Sequence, residues 1–194
     1  SQSYEIFIPS IRKVRRFAEP ARDDAWGGSD FTFGDVTLRK PKHDNHELLG
    51  KTKFAGCLGV MKDVKRNKYT QKANIVADCS TDGKEVYKLK STANTANWWY
   101  DHRISLIDAK TFADYRTEYF KGGKHIKTID RSWAPANLDD PRASYWGYWY
   151  GKTNTTGHET MAFIPSTITK VNHKYKAKNL WSTRTLKKMP KKIK

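Results

Sequence analysis

Ile104-Ser105-Leu106-Ile107-Asp108-Ala109-Lys110-Thr111-Phe112-Ala113-Asp114-Tyr115-Arg116-Thr117-Glu118-Tyr119-Phe120 decides the fold class, because a helix and a strand pair place its apolar residues against different neighbours. Ile104, Ile107, Phe112, Tyr115 and Tyr119 recur at roughly helical spacing, and Gly122-Gly123 follows as a helix stop. The spacing predicts an amphipathic helix over 101–120. Upstream, Ala77 to Thr92 reads as strand, Gly turn and strand. Downstream, 125–129, 144–150 and 159–164 alternate or carry aromatic and β-branched residues between Gly, Pro or Asn, and read as strands. The expected order is therefore strand, strand, helix, strand, strand, strand: an α/β (α+β) single domain with a mixed central sheet, the flanking helix 101–120 and a basic C-terminal tail.

The chain has 194 residues, enough for one ordinary core, which suggests a single domain over 1–170 and a tail over 171–194. Its hydrophobic share is only 37%, but seven Trp, ten Tyr and eight Phe supply large buried areas and argue against global disorder. Lys and Arg outnumber Asp and Glu by 37 to 20, a net charge of +17 that favours a polyanionic partner, most simply DNA or RNA. No basic amphipathic helix marks a membrane surface. No apolar run approaches the ~20 residues that span a bilayer, and the start Ser1-Gln2-Ser3-Tyr4 has no signal-peptide pattern. The expected location is cytoplasmic, or a virion for a packaging protein. Cys57 and Cys79 are the only cysteines and lack Cys-x-x-Cys spacing, so neither a disulfide framework nor a cysteine zinc site is expected.

The hairpin words Asp78-Cys79-Ser80-Thr81-Asp82-Gly83-Lys84-Glu85-Val86-Tyr87-Lys88-Leu89-Lys90 carry the candidate chemistry. Strand alternation points Val86, Lys88 and Lys90 to one face and Tyr87 and Leu89 to the other. A carboxylate ending the first strand would then meet a lysine on the second. Carboxylate-held Mg²⁺ beside a lysine can activate water and relieve charge on a scissile phosphate. In these residues the chain resembles the PD-(D/E)XK restriction-endonuclease superfamily, over residues 74 to 168 at most. The resemblance implies Mg²⁺-dependent DNA cleavage by a type II enzyme, with Asp78 as metal ligand and Lys90 steadying the water or phosphate. It also implies a homodimer, since symmetric sites call for two-fold protein symmetry. The acidic position two before Lys90 is Lys88, so Glu85 or Asp82 stands as the substitute acid, or the chain binds without cutting. No nucleotide-binding Gly loop is present.

Other candidates are basic or aromatic. Four of the five residues Arg12 to Arg16 are cationic, and Arg12, Lys13, Arg15 and Arg16 form either a phosphate-contacting arm or a solvated face. Asn97, His102 and Arg103 flank Trp98-Trp99-Tyr100 and could read base edges or phosphates, while the tryptophans could equally be core. Lys187 and Lys188 belong to the stretch Lys170 to Lys194, whose ten cations and no acid disfavour a packed element. Tyr145-Trp146-Gly147-Tyr148-Trp149-Tyr150 suits a buried strand or a base-stacking platform. His43-Asp44-Asn45-His46-Glu47 suits a polar turn better than a metal site. The alternatives to a nuclease are a viral coat or nucleoprotein subunit built as a β-sandwich or jelly roll, and a ribonucleoprotein component without catalysis.

Overall fold

The computed structural model describes residues 4–8, 10–63, 76–164, 169 and 181–188. The chain forms two compact units, Ser1–Ala21 with Lys170–Lys194, and Arg22–Thr169.

In the first unit β1 (Tyr4–Ile8) and β2 (Lys13–Phe17) form an antiparallel hairpin in the register Tyr4↔Phe17 to Ile8↔Lys13. Its turn uses Arg12 at a positive φ of 53°. The short helix α1 (Thr183–Lys188) lies in the basic tail, where charge crowding predicts no packed element. Glu5 compensates, accepting from the Thr183 hydroxyl and from Arg16. The lysines at 191, 192 and 194 lie outside the described residues.

The second unit is an all-antiparallel sheet in the order β3 (Asp44–Lys53), β4 (Glu85–Ala93), β5 (His102–Asp108), β6 (Asp114–Lys121), β7 (Lys124–Pro135), β8 (Ser144–Thr153), β9 (Glu159–Phe163). Each strand pairs with its sequence neighbour. This corrects both the mixed α/β sheet and the flanking helix 101–120, which is the hairpin β5–β6. Two features of the sequence produce the strand pair. Ile, Thr and Tyr fit a pleated surface, and Tyr115, Thr117 and Tyr119 alternate as buried residues with half-buried Arg116 and Glu118. Asp108 then ends β5 in a turn, its carboxylate accepting from the Lys110 and Thr111 backbone N–H groups. Phe112, counted toward the helical stripe, sits on that turn at 61% exposure and φ 61°. Gly122 and Gly123, with φ of 53° and 73°, make a two-residue hairpin turn between Lys121 and Lys124. The pair that reads as a helix stop is a strand reversal.

The strands expected at 125–129, 144–150 and 159–164 fall on β7, β8 and β9. Of the proposed hairpin from Ala77 to Thr92, only the second strand forms, as β4; Ser80 to Gly83 is turn.

Register assigns the two faces. His46, Ser91, Arg103, Tyr119, Lys127 and Thr153 line up across the sheet on one face, beside Leu89, Ser105, Thr117, Ile129 and Gly151. Lys88, Leu106, Arg116, Asp130, Tyr150 and Met161 line up on the other. Each face has its own core. The first buries Phe31, Tyr100, Tyr119 and Ile129, with Trp98, Trp99 and Trp149 packed against them. The second buries Phe54, Leu58, Val86, Tyr115, Tyr148 and Tyr150.

On the second face the covering segment is fastened by a buried ion pair and a disulfide. Arg116 holds Asp130 through two bonds of 2.7 Å and donates to the Cys57 carbonyl, and the Gly59 N–H donates to Asp130 Oδ2 at 2.6 Å. Cys57 is bonded to Cys79, contrary to the expectation from spacing. The partners are brought together by the fold around Leu58, whose N–H donates to the Asp78 carbonyl. A methyl at Gly59 would stand 2.4 Å from the Tyr150 ring, whose hydroxyl is tied to Glu159 and leaves the ring little room to swing. Gly59→Ala is expected to destabilise the fold by about 1–3 kcal/mol through overpacking. A urea midpoint within error of the parent's would show that the ring yields freely.

Candidate ligand cleft

Asp35 positions the wall of the cleft. The segment Gly34–Leu38 is a single irregular helical turn whose Gly34 N–H donates to the Arg22 carbonyl at 2.7 Å. A Cβ on Gly34 would lie 2.9 Å from that same oxygen, so the close approach calls for glycine. Asp35, fully buried, accepts from Lys127 Nζ at 2.8 Å, Arg39 Nη2 at 2.9 Å, the Thr32 N–H at 2.9 Å and the Tyr119 hydroxyl. Burial alone would raise its pKa, but the Lys127 and Arg39 charges and these hydrogen bonds hold it well below the usual carboxylate range. One carboxylate thus clamps the segment to β6 and β7. Lys127 also lies 4.6 Å from the centre of the Trp99 ring.

Between this clamped segment and the first face of the sheet lies a cleft of about 570 Å³. Val36, Leu89, Trp133 and Trp149 give it apolar surface. Arg39, Lys40, Arg103 and Arg131 line it against two carboxylates, Asp35 and Asp114. Arg131 is held on the Trp149 ring, 4.3 Å from its centre, and bonds Asp114 at 3.0 Å and Thr117 at 3.2 Å, all through Nη1. Arg103 meets Asp44 at 3.3 Å and Ser105 at 3.3 Å. Asp44 also accepts from the Tyr100 hydroxyl. Arg103 Nε and Trp149 Nε1 are buried donors with no hydrogen-bond partner among the described residues.

The hairpin residues expected to cut phosphodiesters are not assembled. Asp78 sits over β7 and β8, accepting from Ser132 Oγ at 2.6 Å and the Ser80 N–H, while its own N–H donates to the Tyr148 hydroxyl. Lys90 lies on β4 and faces Glu47 of β3 at 4.0 Å. From β4 to β7 is three strand spacings, about 14 Å. Asp82 accepts from the Gly56 N–H, Glu85 pairs with Lys51 at 2.8 Å, and Lys88 is exposed on the second face. Asp78 and Asp82, the expected Mg²⁺ ligands, each bind protein donors, and among the described residues no group of three or more His, Cys, Asp or Glu is placed to hold a metal.

The other candidates are scattered as well. Arg12, Lys13, Arg15 and Arg16 lie on the turn and second strand of the small hairpin, and Lys187 and Lys188 in the last turn of α1. Asn97 is an exposed turn residue with φ 54°. His102 stacks on Phe120 at 4.9 Å. Only Arg103 of these residues reaches the cleft. Trp149 reaches it from the aromatic strand, which is half core: Tyr148 and Tyr150 are buried on the second face. Asp35, Arg39 and Arg131 were not singled out by sequence. Asp35 meets a lysine 92 positions away, a pairing that no local pattern encodes.

Residues 2–60 match a family model described as an uncharacterized protein, which is less than half of the chain. No curated protein matches. Among solved structures the chain is similar to a domain assigned to outer membrane lipoprotein sorting from Vibrio parahaemolyticus, with TM-score 0.57, 16% identity, and coverage of 95% of this chain and 66% of that one. It is also similar to a DUF1329 family protein from Desulfovibrio piger, with TM-score 0.52, 14% identity, and coverage of 82% and 55%. A LolA superfamily protein from Nitrosomonas europaea superposes at TM-score 0.47 and 14% identity, covering 87% of this chain and 66% of that one. The chain thus spans less than two thirds of the length of each. The first two likenesses fix the fold and, with the all-antiparallel sheet, overturn the restriction-endonuclease resemblance. With it go the type II nuclease, the DNA or RNA partner and the viral coat or ribonucleoprotein alternatives, since the sheet is one antiparallel meander and the Vibrio domain that shares it is assigned to lipoprotein sorting.

Proposed function

We propose that this protein binds a lipid, or the lipid-bearing part of a lipoprotein, in the cleft between the Gly34–Leu38 segment and the sheet. The observation that carries the reading is the cleft itself: about 570 Å³, with two tryptophans and two aliphatic side chains on its walls. That volume falls in the range of small-ligand sites, and each buried methylene of an acyl chain contributes ~0.8 kcal/mol. The lipoprotein-sorting assignment of the Vibrio domain that shares the fold supports the same class of ligand. The Cys57–Cys79 disulfide supports an oxidising compartment outside the cytoplasm as the place of action.

Titration with the fluorescent apolar dye N-phenyl-1-naphthylamine tests the reading. Saturable binding that long-chain acyl compounds displace is expected, weakened about tenfold or more in Trp149→Ala, which removes a wall of the cleft. Absence of saturable binding by a folded sample, to the dye and to acyl compounds alike, would overturn it.

A further inference from the structure

We propose that the cleft selects an anionic amphiphile, whose phosphate or carboxylate is held by Arg131 and Arg103 while its apolar part lies along Trp133, Trp149 and Leu89. The proposal rests on the lipid-binding reading above and specifies the headgroup. Charge balance is the first argument. Counting Lys127 and Asp44, which sit behind the lining, five cationic side chains face three carboxylates, each of them already engaged: Asp35 by Lys127 and Arg39, Asp44 by Arg103 and Asp114 by Arg131.

Unused donors are the second argument. Among the described residues the hydrogen bond and the ion pair of Arg131 both run through Nη1, which leaves Nε and Nη2 out of both. The Trp149 ring holds the guanidinium in place while leaving its in-plane donors available. Such a fixed, planar, permanently charged fork suits the paired oxygens of a phosphate or carboxylate. Arg103 Nε adds a second donor without a partner, on a side chain 11% exposed. A buried guanidinium is only weakly screened by salt, so the preference should persist at physiological ionic strength.

Calorimetric titration of the whole chain with four compounds tests the assignment: dodecyl phosphate, dodecylphosphocholine and dodecyltrimethylammonium, each below its micellar concentration, and inorganic phosphate. Dodecyl phosphate is expected to bind about tenfold or more tightly than the zwitterion, with the cation weakest, as one charge-assisted pair of bonds would give. Inorganic phosphate should bind far more weakly than its dodecyl ester. In Arg131→Gln the preference for dodecyl phosphate over the cationic amphiphile should collapse, and Arg131→Lys should recover part of it. Equal affinity for all three amphiphiles in the parent chain would overturn the headgroup assignment and leave lipid binding standing. Inorganic phosphate binding as tightly as its ester would overturn it too, marking an ion site. Failure of every amphiphile would remove the lipid-binding reading itself. The parent-chain comparison decides the matter even if Arg131→Gln folds poorly.

Discussion

Asp35→Ala is expected to destabilise the large unit by about 3–5 kcal/mol, the range for stripping one partner from a buried ion pair. The substitution leaves Lys127, 6% exposed, and Arg39, 18% exposed, facing one another without their shared anion. It also frees the Tyr119 hydroxyl and the Thr32 N–H. Chemical denaturation measures the loss directly, and a change below about 1 kcal/mol, as for an exposed pair, would contradict the clamp. The same residue sets a pH dependence. Its folded pKa lies below its unfolded value, so the unfolded chain binds the extra proton, and the stabilisation is complete above the ordinary Asp pKa of ~3.9. It is lost as pH falls below that value toward the folded one. In Asp35→Ala the acid side of the stability curve should be shallower, and dye binding in the cleft should weaken along with the fold.

Removing the Cys57–Cys79 bond is expected to cost about 3 kcal/mol, because it releases a closed loop of sequence separation 22 in the unfolded chain. The native side of the equilibrium is affected as well. The link ties the segment carrying Phe54 and Leu58, both 1% exposed, to the turn that follows Asp78. Denaturation of Cys57→Ala/Cys79→Ala beside the oxidised parent, and of the parent with and without reductant, should agree within about 1 kcal/mol, since each opens the same loop. Indifference to both treatments would mean that the covering segment is held by the Asp130 contacts alone. Because this segment covers the second face and the cleft opens on the first, apolar dye binding should survive reduction under conditions where the protein stays folded.

The strands from β7 onward were legible because alternation and bounding Gly, Pro or Asn residues are local signals. The β5–β6 hairpin was not, because Tyr115 and Tyr119, four apart, satisfy helical spacing and alternation alike, while Ile104 and Ile107, three apart, favour the helical count. The buried polar positions that would have broken the tie looked exposed: Ser105 and Thr117 lie opposite each other and bond at 3.2 Å. Basic character was also misassigned. A net charge of +17 says nothing of the neutral pairs inside the fold, where Arg116, Arg131, Lys127 and Arg103 are buried or half-buried and each is matched to an aspartate. Charge counted along a chain does not distinguish a surface from a network. Asp78 misled for a different reason: its place in an acid–turn–lysine word is a property of the turn, where it accepts from the N–H of Ser80.

The meander order of the sheet bears on how the protein reaches this structure. From β4 to β9 every strand joins the one just before it, so each pairing closes a short loop and the sheet can lengthen one hairpin at a time as chain becomes available. The slow step is expected at the start. β3 ends at Lys53 and β4 begins at Glu85, the longest gap between paired strands in the sheet, and it must close against its own chain entropy. Cys57 and Cys79 stand just inside the two ends of that gap. Oxidation before β3 docks would shorten the wandering loop to a few residues on either side, making the first pairing nearly as local as those that follow.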